Sequence, residues 1–529
     1  MNIMNKSLIF VAAMAALMLS YSCSDSFLEE YPDTTLSSGT FFKTKTHFDQ
    51  AITAAYVGIR DIALDGIFDD EMRSDNAFFT RYANDRGPYL SVEVIALFCD
   101  NAHDGQYIYW RYTSDYRMIG RVNAILDRLD ASELTDDEKQ SVRAEALFLR
   151  AFYYYDLVTH WGGVPLVVHE TIKEEESYIA KSTAEDVYKQ VIADVSESIN
   201  LGIPEATTFP QSGHATLGAA KMLRAYAYMS QPVPDYPAAE KDLKDITKMH
   251  YKLLDNYEDV FKKTNKNNQE SILEAQYIED GSTENYSTFL SRMIPKCDNP
   301  EFLTGGPTYS NYAGSTTSGG WCVPTQEMVD SYEEGDVRLE ASIAVAEGTL
   351  NASDQFVIKA VKSPVRYTPI SAEGMGYRYF VKKYWHAPYA YAGRTDDNFP
   401  IYRYSGALLL LSECLVNQNK NDEALPYINL VRKRAGLSEL TSVTKQNVLD
   451  EERHELAFEN HRYTDLIRNG VAVDVLRKHG ENMKAIYSWV YSYAFDVTED
   501  KLLFAFPYYE MELNKKLVQN PGYSSTSGN

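Results

Sequence analysis

The sequence predicts a mainly α fold in which irregular helix pairs form a scaffold that a large loop-rich insertion interrupts. Apolar residues recur at helical spacing through the first half of the chain and again in residues 402–470. Between residues 280 and 399 this periodicity is mostly lost, and Gly, Ser, Thr, Tyr and Pro become frequent. No Pro-rich or Gly/Ser-rich linker divides the 529 residues, so we predict one compact body.

Residues 1–22 are predicted to be a secretion signal rather than part of the fold. Lys6 supplies a positive charge, and residues 8–19 are an apolar run that is shorter than the about 20 helical residues of a membrane span. The run ends just before Cys23, a layout that predicts a lipoprotein signal in which Cys23 becomes the acylated first residue. An ordinary cleavage site beside an incidental cysteine is the alternative. Residues 23–40 are then a polar, acidic tether.

The chain is strongly acidic. Its net charge of −24 becomes −25 when the signal, with its one lysine and no acid, is removed. Such a body repels nucleic acid and gains no attraction to anionic lipid, so we expect no nucleic-acid partner. No second apolar run of membrane length follows the signal. We therefore expect the mature body to be soluble and to be attached to the membrane only through the lipid on Cys23.

Cysteines are sparse for an exported protein, and none forms a Cys-x-x-Cys motif. Cys414 lies in an apolar run and is predicted to be a small core residue. Cys297 and Cys322 flank a Gly- and Tyr-rich segment, and their spacing allows a disulfide without requiring one.

The helices are predicted from stripes of apolar residues. The clearest start is Thr135, because Glu138 three residues later completes a capping box. The predicted helices cover a stripe over 48–59 and the segments 107–129, 137–160, 184–201, 216–229, 236–246, 404–415 and 422–434.

Several of these helices repeat one layout. Residues 218–228, a short polar link and residues 236–246 form one pair, and residues 404–434 form another. Small residues at the helix crossings and an Ala-Leu opening to the second helix resemble the tetratricopeptide pattern. Because the repeats are irregular and interrupted, they favour a scaffold over a free peptide-binding groove.

Residues 451–470, EERHELAFENHRYTDLIRNG, combine many charges with apolar residues at helical spacing. Glu452, Glu455 and Glu459 are three and four residues apart and are predicted to share one helical face. Arg462 and the other arginines of this stretch can reach such carboxylates with two parallel N–H groups. We therefore predict a partly buried ion-pair network that joins this helix to others. An active-site carboxylate pair is the alternative.

Four ordered motifs resemble the SusD/RagB family. They are the charged stretch 452–470, the segment AEALFLRAF at 144–152 followed by GVPL at 163–166, the helical pair 403–434, and the ending QNPGY at 519–523. This family consists of surface lipoproteins that capture nutrients, usually glycans, for a TonB-dependent transporter.

The resemblance implies an outer-membrane, outer-leaflet, lipid-anchored protein at the cell surface. It would capture oligosaccharides and act as the lid of a SusC-like TonB-dependent transporter in polysaccharide uptake. A peptide-binding lid of a RagAB-type importer is the alternative, because one branch of the family takes peptides. The implied domains are a helical SusD-like domain at 41–250 and a RagB/SusD domain at 270–523, with the loop-rich ligand region at 280–399.

The predicted ligand-binding residues are aromatic and amide side chains in loops. Tyrosine outnumbers the other aromatic residues, with 40 Tyr against 22 Phe and 5 Trp, and its flat face and hydroxyl suit a sugar ring. In this family the ligand face is built from such loops, and Trp321 stands where a stacking ring is often placed. The alternative for each ring is a loop anchored into the core. The residues are Trp321, Tyr309, Tyr312, Asn311, Tyr82, Asn101, Trp385 and Tyr389.

The sequence indicates a binding protein rather than an enzyme. Zinc-protease, serine-hydrolase, phosphate-loop and dinucleotide motifs are absent, so we predict no catalytic residue, no cofactor and no metal site. Residues 100–105 are similar to half of a calcium loop, but no bidentate acid closes it at the twelfth position, and we interpret them as a turn.

Overall fold

The computed structural model describes residues 41–82, 90–280, 285–305, 319–370, 372, 374–389 and 393–524. The helices are α1 (Lys45–Ala55), α2 (Val57–Gly66), α3 (Leu90–Ala96), α4 (Gln106–Leu129), α5 (Asp136–Trp161), α6 (Ala184–Asn200), α7 (Leu217–Ser230), α8 (Tyr236–Ile246), α9 (Phe289–Met293), α10 (Glu301–Thr304), α11 (Gln326–Ser331), α12 (Val337–Ser342), α13 (Tyr404–Asn417), α14 (Asn421–Arg434), α15 (Lys445–Glu455), α16 (Arg462–Arg468), α17 (Ala472–Ile486) and α18 (Tyr508–Leu513). The strands are β1 (Ala77–Phe78), β2 (Ser271–Ala275), β3 (Val323–Pro324), β4 (Ile343–Leu350), β5 (Phe356–Lys362), β6 (Met375–Val381) and β7 (Phe399–Arg403).

The mainly α fold class is confirmed. The helices α4 and α5 pack against each other, and α5 also packs against α6. The capping box at the start of α5 is present, since the Glu138 amide donates to the Thr135 hydroxyl and the Thr135 amide donates to the Glu138 carboxylate.

The second half repeats this arrangement with α13 and α14, and α13 also packs against α8 and α15. Nearly all of α13 is buried, including Cys414, which confirms that this cysteine is a core residue. Helices from both halves of the chain therefore meet in one large apolar core.

The loop-rich region contains a sheet that the sequence did not reveal. Strands β5, β4 and β6 form an antiparallel sheet in that order, with Val345 opposite Lys362 on one side and Tyr379 on the other. A small separate core of residues such as Ala346, Phe356 and Phe380 lies beneath it. The two-stranded pairs β1–β3 and β2–β7 tie this region to the helical part of the chain.

The predicted ion-pair network is confirmed, and it is almost completely buried. Its centre is Arg403, whose guanidinium lies 2.8 Å from Glu270, 3.0 Å from Glu455 and 2.7 Å from Glu459. Further cations complete the network, in the pairs Lys383–Glu459, Arg338–Glu451, Arg338–Glu455, Arg432–Glu451 and Arg434–Glu455. The network therefore joins the helices α12, α14 and α15 to the end of β7. It also includes Glu270 just before β2, Lys383 just after β6, and Glu459 in the turn after α15.

Two details of that prediction are wrong. The stretch is not one helix: α15 ends at Glu455, the backbone turns through positive φ angles at Phe458 and Asn460, and α16 begins at Arg462. In addition, Arg453 and Arg462 do not pair with the glutamates of their own stretch. Both contact Asp75, at 3.1 and 2.8 Å, and so fasten the C-terminal part to the segment before β1.

Candidate ligand-binding face

Trp321 lies in the core, which corrects the expectation of an exposed stacking ring. The chain turns at Gly319 and Gly320, which both have positive φ, and the Trp321 side chain is then 5 % exposed. Its ring centroid lies about 6 Å from those of Phe68 and Phe79, at 6.2 and 6.1 Å. The alternative interpretation, a loop anchored into the core by its aromatic residue, describes this geometry.

A row of aromatic contacts leads from Trp321 to the protein surface. Phe68 is followed by Tyr107, with ring centroids 4.0 Å apart, and Tyr107 is followed by Trp110 at 5.1 Å in an edge-to-face contact. Tyr107 and Trp110 are three residues apart on α4 and so lie on one side of it. Trp110 is 43 % exposed, so the ring of this row that reaches solvent is Trp110.

Trp110 lines a cavity of about 340 Å³ between the start of α4 and the start of α18. We call this cavity the Trp110 face; its side chains include Asn101, His103, Asp104, Tyr109, Trp110 and Tyr509. Gly105 precedes α4 with a φ of +117°, a conformation that glycine adopts without strain, and it turns the chain from the 100–105 segment into the helix.

The 100–105 segment is a turn, as the sequence indicated, and the structure adds a buried ion pair at its first residue. The Asp100 carboxylate lies 2.5 Å from the Arg73 guanidinium, and both side chains are buried. The Asn101 side-chain carbonyl oxygen accepts from the backbone amides of His103 and Asp104 at 2.8 and 3.2 Å. Asn101, one of the predicted ligand-binding residues, lines the Trp110 face, but part of its hydrogen-bonding capacity shapes the turn. Among the described residues, no group of His, Cys, Asp and Glu could hold a metal ion.

The other wall of the face is the C-terminal segment before α18. The Tyr508 amide donates to the Ala102 carbonyl at 2.8 Å, and the His103 ring packs on the Tyr508 ring at 4.3 Å. The Ala505–Pro507 stretch of this wall is fixed at its start, because the Trp161 indole donates to the Ala505 carbonyl at 3.1 Å. Tyr509, in the first turn of α18, also lines the cavity and is 66 % exposed.

Tyr82 lies elsewhere on the loop side of the molecule, half-buried beside the chain at Gly320. The Lys296 ammonium lies 4.6 Å from its ring centroid and the Arg378 guanidinium lies 6.0 Å from it. A Cβ added at Gly320 would come within 2.4 Å of the Tyr82 hydroxyl, so glycine at this position allows the close packing of the two segments.

Trp385 and Tyr389 hold their loop against the small core under the sheet. The Trp385 indole donates to the Leu303 carbonyl at 2.6 Å, and the Tyr389 hydroxyl donates to the Tyr384 carbonyl at 3.2 Å. Tyr389 is buried and Trp385 is half-buried, so the structure does not bring them to the Trp110 face.

The remaining predictions for this region have mixed outcomes. Tyr309, Asn311 and Tyr312 lie outside the described residues, as does Cys23. Cys297 and Cys322 are both buried free thiols, so the disulfide that their spacing allowed is not formed in this structure. Burial raises the pKa of the Cys297 thiol to about 12, which leaves it protonated and unreactive at neutral pH.

Two other cavities are less suited to a ring-shaped ligand. A cleft of about 710 Å³ lies between α1, α2 and the end of β2, but the hydroxyls of its two tyrosines are used within the protein. Tyr56 donates to Glu145, and Tyr277 donates to the Arg60 carbonyl. A cavity of about 90 Å³ is too small, and two of its carboxylates, on Asp70 and Asp156, share Arg111.

The Trp110 face offers rings beside groups that exchange hydrogen bonds. Trp110, Tyr109 and Tyr509 supply flat apolar faces, and His103, Asp104 and Asn101 supply donors and acceptors. None of the described residues that line this cavity is Lys or Arg. This combination suits a neutral ligand with alternating apolar faces and hydroxyl groups.

Trp110 and Tyr509 line this face but were not among the ligand-binding residues predicted from the sequence. A signal for Trp110 was present: on α4 it falls outside the buried stripe that contains Ile108, Tyr112 and Ile119, so its ring had no core position to occupy. Tyr509 lies in a short C-terminal segment without periodicity, where its exposure could not be inferred.

Two protein-family models together match most of the chain. One is described as the SusD family and matches residues 269–523, and the other is described as starch-binding associating with outer membrane and matches residues 26–231. No helix among the described residues has both the length and the apolar character needed to cross a membrane.

Individual relatives agree with these models. SusD-like protein P25 of Formosa agariphila is 26 % identical over 488 residues, which cover 86 % of this chain and 89 % of the relative. The starch-binding protein SusD of Bacteroides thetaiotaomicron is 25 % identical over 68 % of this chain and 70 % of its own length. The surface glycan-binding protein A of Bacteroides thetaiotaomicron, solved in complex with laminarihexaose, has a TM-score of 0.69 and 23 % identity, covering 90 % of this chain and 99 % of that one.

Proposed function

Because this chain belongs to the SusD family, we propose that it captures a neutral glycan at the Trp110 face and delivers it to a TonB-dependent outer-membrane transporter of the SusC type. The observation that carries the proposal is the exposed Trp110 ring in a cavity that also holds Tyr109, Tyr509 and hydrogen-bonding side chains. A sugar ring can stack its C–H face on the indole while its hydroxyls meet the polar groups at the edge.

The charge of the molecule supports a neutral rather than an anionic glycan. The mature chain carries a net charge of −25, and Asp104 lies in the cavity itself. A sulfated or uronic-acid chain would be repelled and would find no lysine or arginine among the described lining residues. Relatives that bind starch or laminarihexaose, both uncharged, are consistent with this choice.

The proposed role is binding without hydrolysis. A glycosidase needs two carboxyl groups placed on either side of one bond. The buried Asp70 and Asp156 are instead bound by Arg111, at 2.8 and 2.6 Å. Burial would raise the pKa of each carboxyl, but Arg111 and His160 outweigh it and hold both pKa values below the ordinary range, so neither is suited to act as a general acid.

We further propose that the mature protein is a lipoprotein on the outer face of the outer membrane, anchored through Cys23. Two or more acyl chains on this residue would hold the body stably, because each buried methylene contributes about 0.8 kcal/mol. Cys23→Ala is expected to move the protein from the membrane fraction to the medium or to leave its signal uncleaved. Unchanged attachment together with a normal mature size would exclude acylation at Cys23.

Affinity electrophoresis tests the glycan-binding function. Residues 24–524 are run through gels that contain starch, laminarin, yeast mannan, chondroitin sulfate or no polysaccharide, and peptide binding is measured with a casein digest. We expect retardation by at least one neutral polysaccharide, none by chondroitin sulfate, and no release of reducing sugar. Binding of peptides alone would favour the peptide importer instead, and release of sugar would identify an enzyme.

A further inference from the structure

We propose that Tyr491 and Tyr493 form a second sugar platform, which contacts the same neutral glycan chain some sugars away from the Trp110 face and makes binding depend on chain length. This inference rests on the proposed function, since it extends the same ligand over a further surface. Tyr491 and Tyr493 are 42 and 66 % exposed, and their rings are parallel, with centroids 5.1 Å apart and an interplanar angle of 2°.

The parallel arrangement leaves ring surface open to solvent. Two tyrosines in mutual stacking cover one face of each ring and present their outer faces and hydroxyl edges. Adjacent exposed rings leave contiguous apolar area in water, a feature more typical of ligand-binding surfaces than single scattered apolar side chains are. Tyr487 and Trp489 on the same segment are different: they pack onto Phe78, with ring centroids 5.7 and 5.9 Å away.

The segment that carries the pair is held on a firm base. Phe495 is buried against Phe98 and against His479 of α17, with ring centroids 6.1 and 5.5 Å apart. A Cβ at Gly480 would come within 2.4 Å of Phe495, so α17 and this segment are in close contact. The Lys484 ammonium also donates to the Ser492 carbonyl at 3.0 Å. The two rings are therefore presented by fixed backbone, which lowers the entropy that a ligand must remove.

The pair and the Trp110 face lie on neighbouring parts of one surface. The Phe495 amide donates to the Leu97 carbonyl at 2.7 Å, which places the segment beside the chain that leads to Asn101. Slight desolvation, and then the nearby Cys99 thiol and Tyr491 hydroxyl, raise the pKa of Tyr493. Cys99 is two residues from Asn101, a separation of at most about 7 Å along the chain. In the proposed arrangement, one oligosaccharide of several sugars must span the separation between Tyr493 and the cavity.

The occupant we assign is the glycan itself and not a protein partner. Tyrosine offers a sugar both an apolar face and a hydroxyl. The segment that carries the pair is hydrogen-bonded, through Phe495, to the chain that leads into the proposed binding cavity. Two contacts on one chain strengthen binding because the second forms at a high effective concentration. A short oligosaccharide cannot contact both sites at once, so the gain in affinity is expected only for longer chains.

The test uses the polysaccharide that retards the wild-type protein, together with its purified disaccharide and its fraction of eight or more sugars. Affinities of the wild-type protein, the double variant Tyr491→Ala/Tyr493→Ala and the control Val233→Ala are measured by calorimetric titration. Val233 is an exposed apolar residue between α7 and α8. We expect the double variant to bind the long fraction about tenfold more weakly and the disaccharide unchanged. The control should match the wild type with both ligands.

Three results would overturn the inference, and they are distinguishable. Equal affinity of the double variant and the wild type for the long fraction would remove the platform and leave the proposed function standing. An equal loss for the disaccharide and the long fraction would mean that the tyrosines belong to the primary site. No retardation of the wild-type protein by any polysaccharide would overturn the proposed function and this inference with it. Thermal melts of both variants establish that they are folded.

Discussion

Arg403→Met is expected to lower the free energy of unfolding by about 3 to 5 kcal/mol, because it leaves buried carboxylates without their cation. Arg403 is almost fully buried and contacts Glu270, Glu455 and Glu459 at 3.0 Å or less. Methionine fills a similar volume but carries no charge. Lys383 still pairs with Glu459 and Arg434 still pairs with Glu455, but these two cations replace only part of the charge that Arg403 supplied.

The effect should depend on pH. Burial would raise the pKa of Glu455, but Arg434, Arg403 and Arg338 outweigh it and hold this pKa well below its usual 4.5. A depressed folded-state pKa contributes stability that is present above the unfolded pKa and is lost as the pH falls towards the folded value. The variant should therefore differ most from the wild type at neutral pH and least in acid.

Urea unfolding at pH 7 and at pH 4 measures both effects. The matched control is Arg366→Met, because Arg366 pairs with Glu334 at the surface with more than 80 % of each side chain exposed. Such an exposed pair contributes about 0 to 1 kcal/mol. If Arg403→Met unfolds at the same urea concentration as the control, the network does not stabilise the fold, and its contacts are only a consequence of packing.

Trp110→Ala is expected to weaken glycan binding by at least tenfold with no loss of stability, and Trp321→Ala is expected to do the reverse. A sugar that covers about 100 Å² of the indole gains about 2.5 kcal/mol before ordering costs. Trp110 is 43 % exposed, so removing it leaves no cavity in the core. Trp321 is buried between Phe68 and Phe79, and its loss should cost about 3 to 5 kcal/mol.

Thermal melts run beside titrations with the retained polysaccharide separate these two outcomes. Each variant serves as the control for the other, since both replace the same side chain with the same residue. Normal binding by folded Trp110→Ala would remove Trp110 from the site. A large loss of affinity in Trp321→Ala that keeps its melting temperature would instead place Trp321 in the site, after a rearrangement of its loop.

The helical scaffold could be predicted because its signals are local. The capping box at Thr135 and the apolar stripes of α4 and α5 specify those helices within a few residues. The sheet could not be predicted in the same way. The first four residues of β4 are all buried, so apolar and polar residues do not alternate there. A continuous apolar run of this kind is typical of a buried strand and of a buried helix alike, so periodicity does not distinguish the two.

The ion-pair network shows a different limit. The density of charge in residues 451–470 predicted a buried network, but the partners of each charge come from other parts of the chain. Asp75 lies nearly four hundred residues before Arg462 and still binds it. Spacing along a helix predicts which charges share a face, and only the tertiary fold decides which of them meet.

The sequence predicted the types of residue in the candidate site, aromatic and amide side chains, better than it predicted which of them lie there. Asn101 lies at the Trp110 face, whereas Trp321, Trp385 and Tyr389 anchor loops into the interior. An aromatic residue in a loop can serve either purpose, and its neighbours in sequence do not decide between them. For Trp110 the deciding feature was the helix periodicity around it, because that pattern leaves its ring outside the buried stripe.

The glycan-binding role of the Trp110 face is tested most directly by a crystal structure of the protein with an oligosaccharide from the polysaccharide that retards it. The expected result is a sugar ring stacked on the Trp110 indole within about 4 Å, with its hydroxyls near His103, Asp104 or Tyr509. A sugar bound elsewhere, for example in the cleft beside Tyr56 and Tyr277, with the Trp110 ring left in solvent, would contradict the assignment.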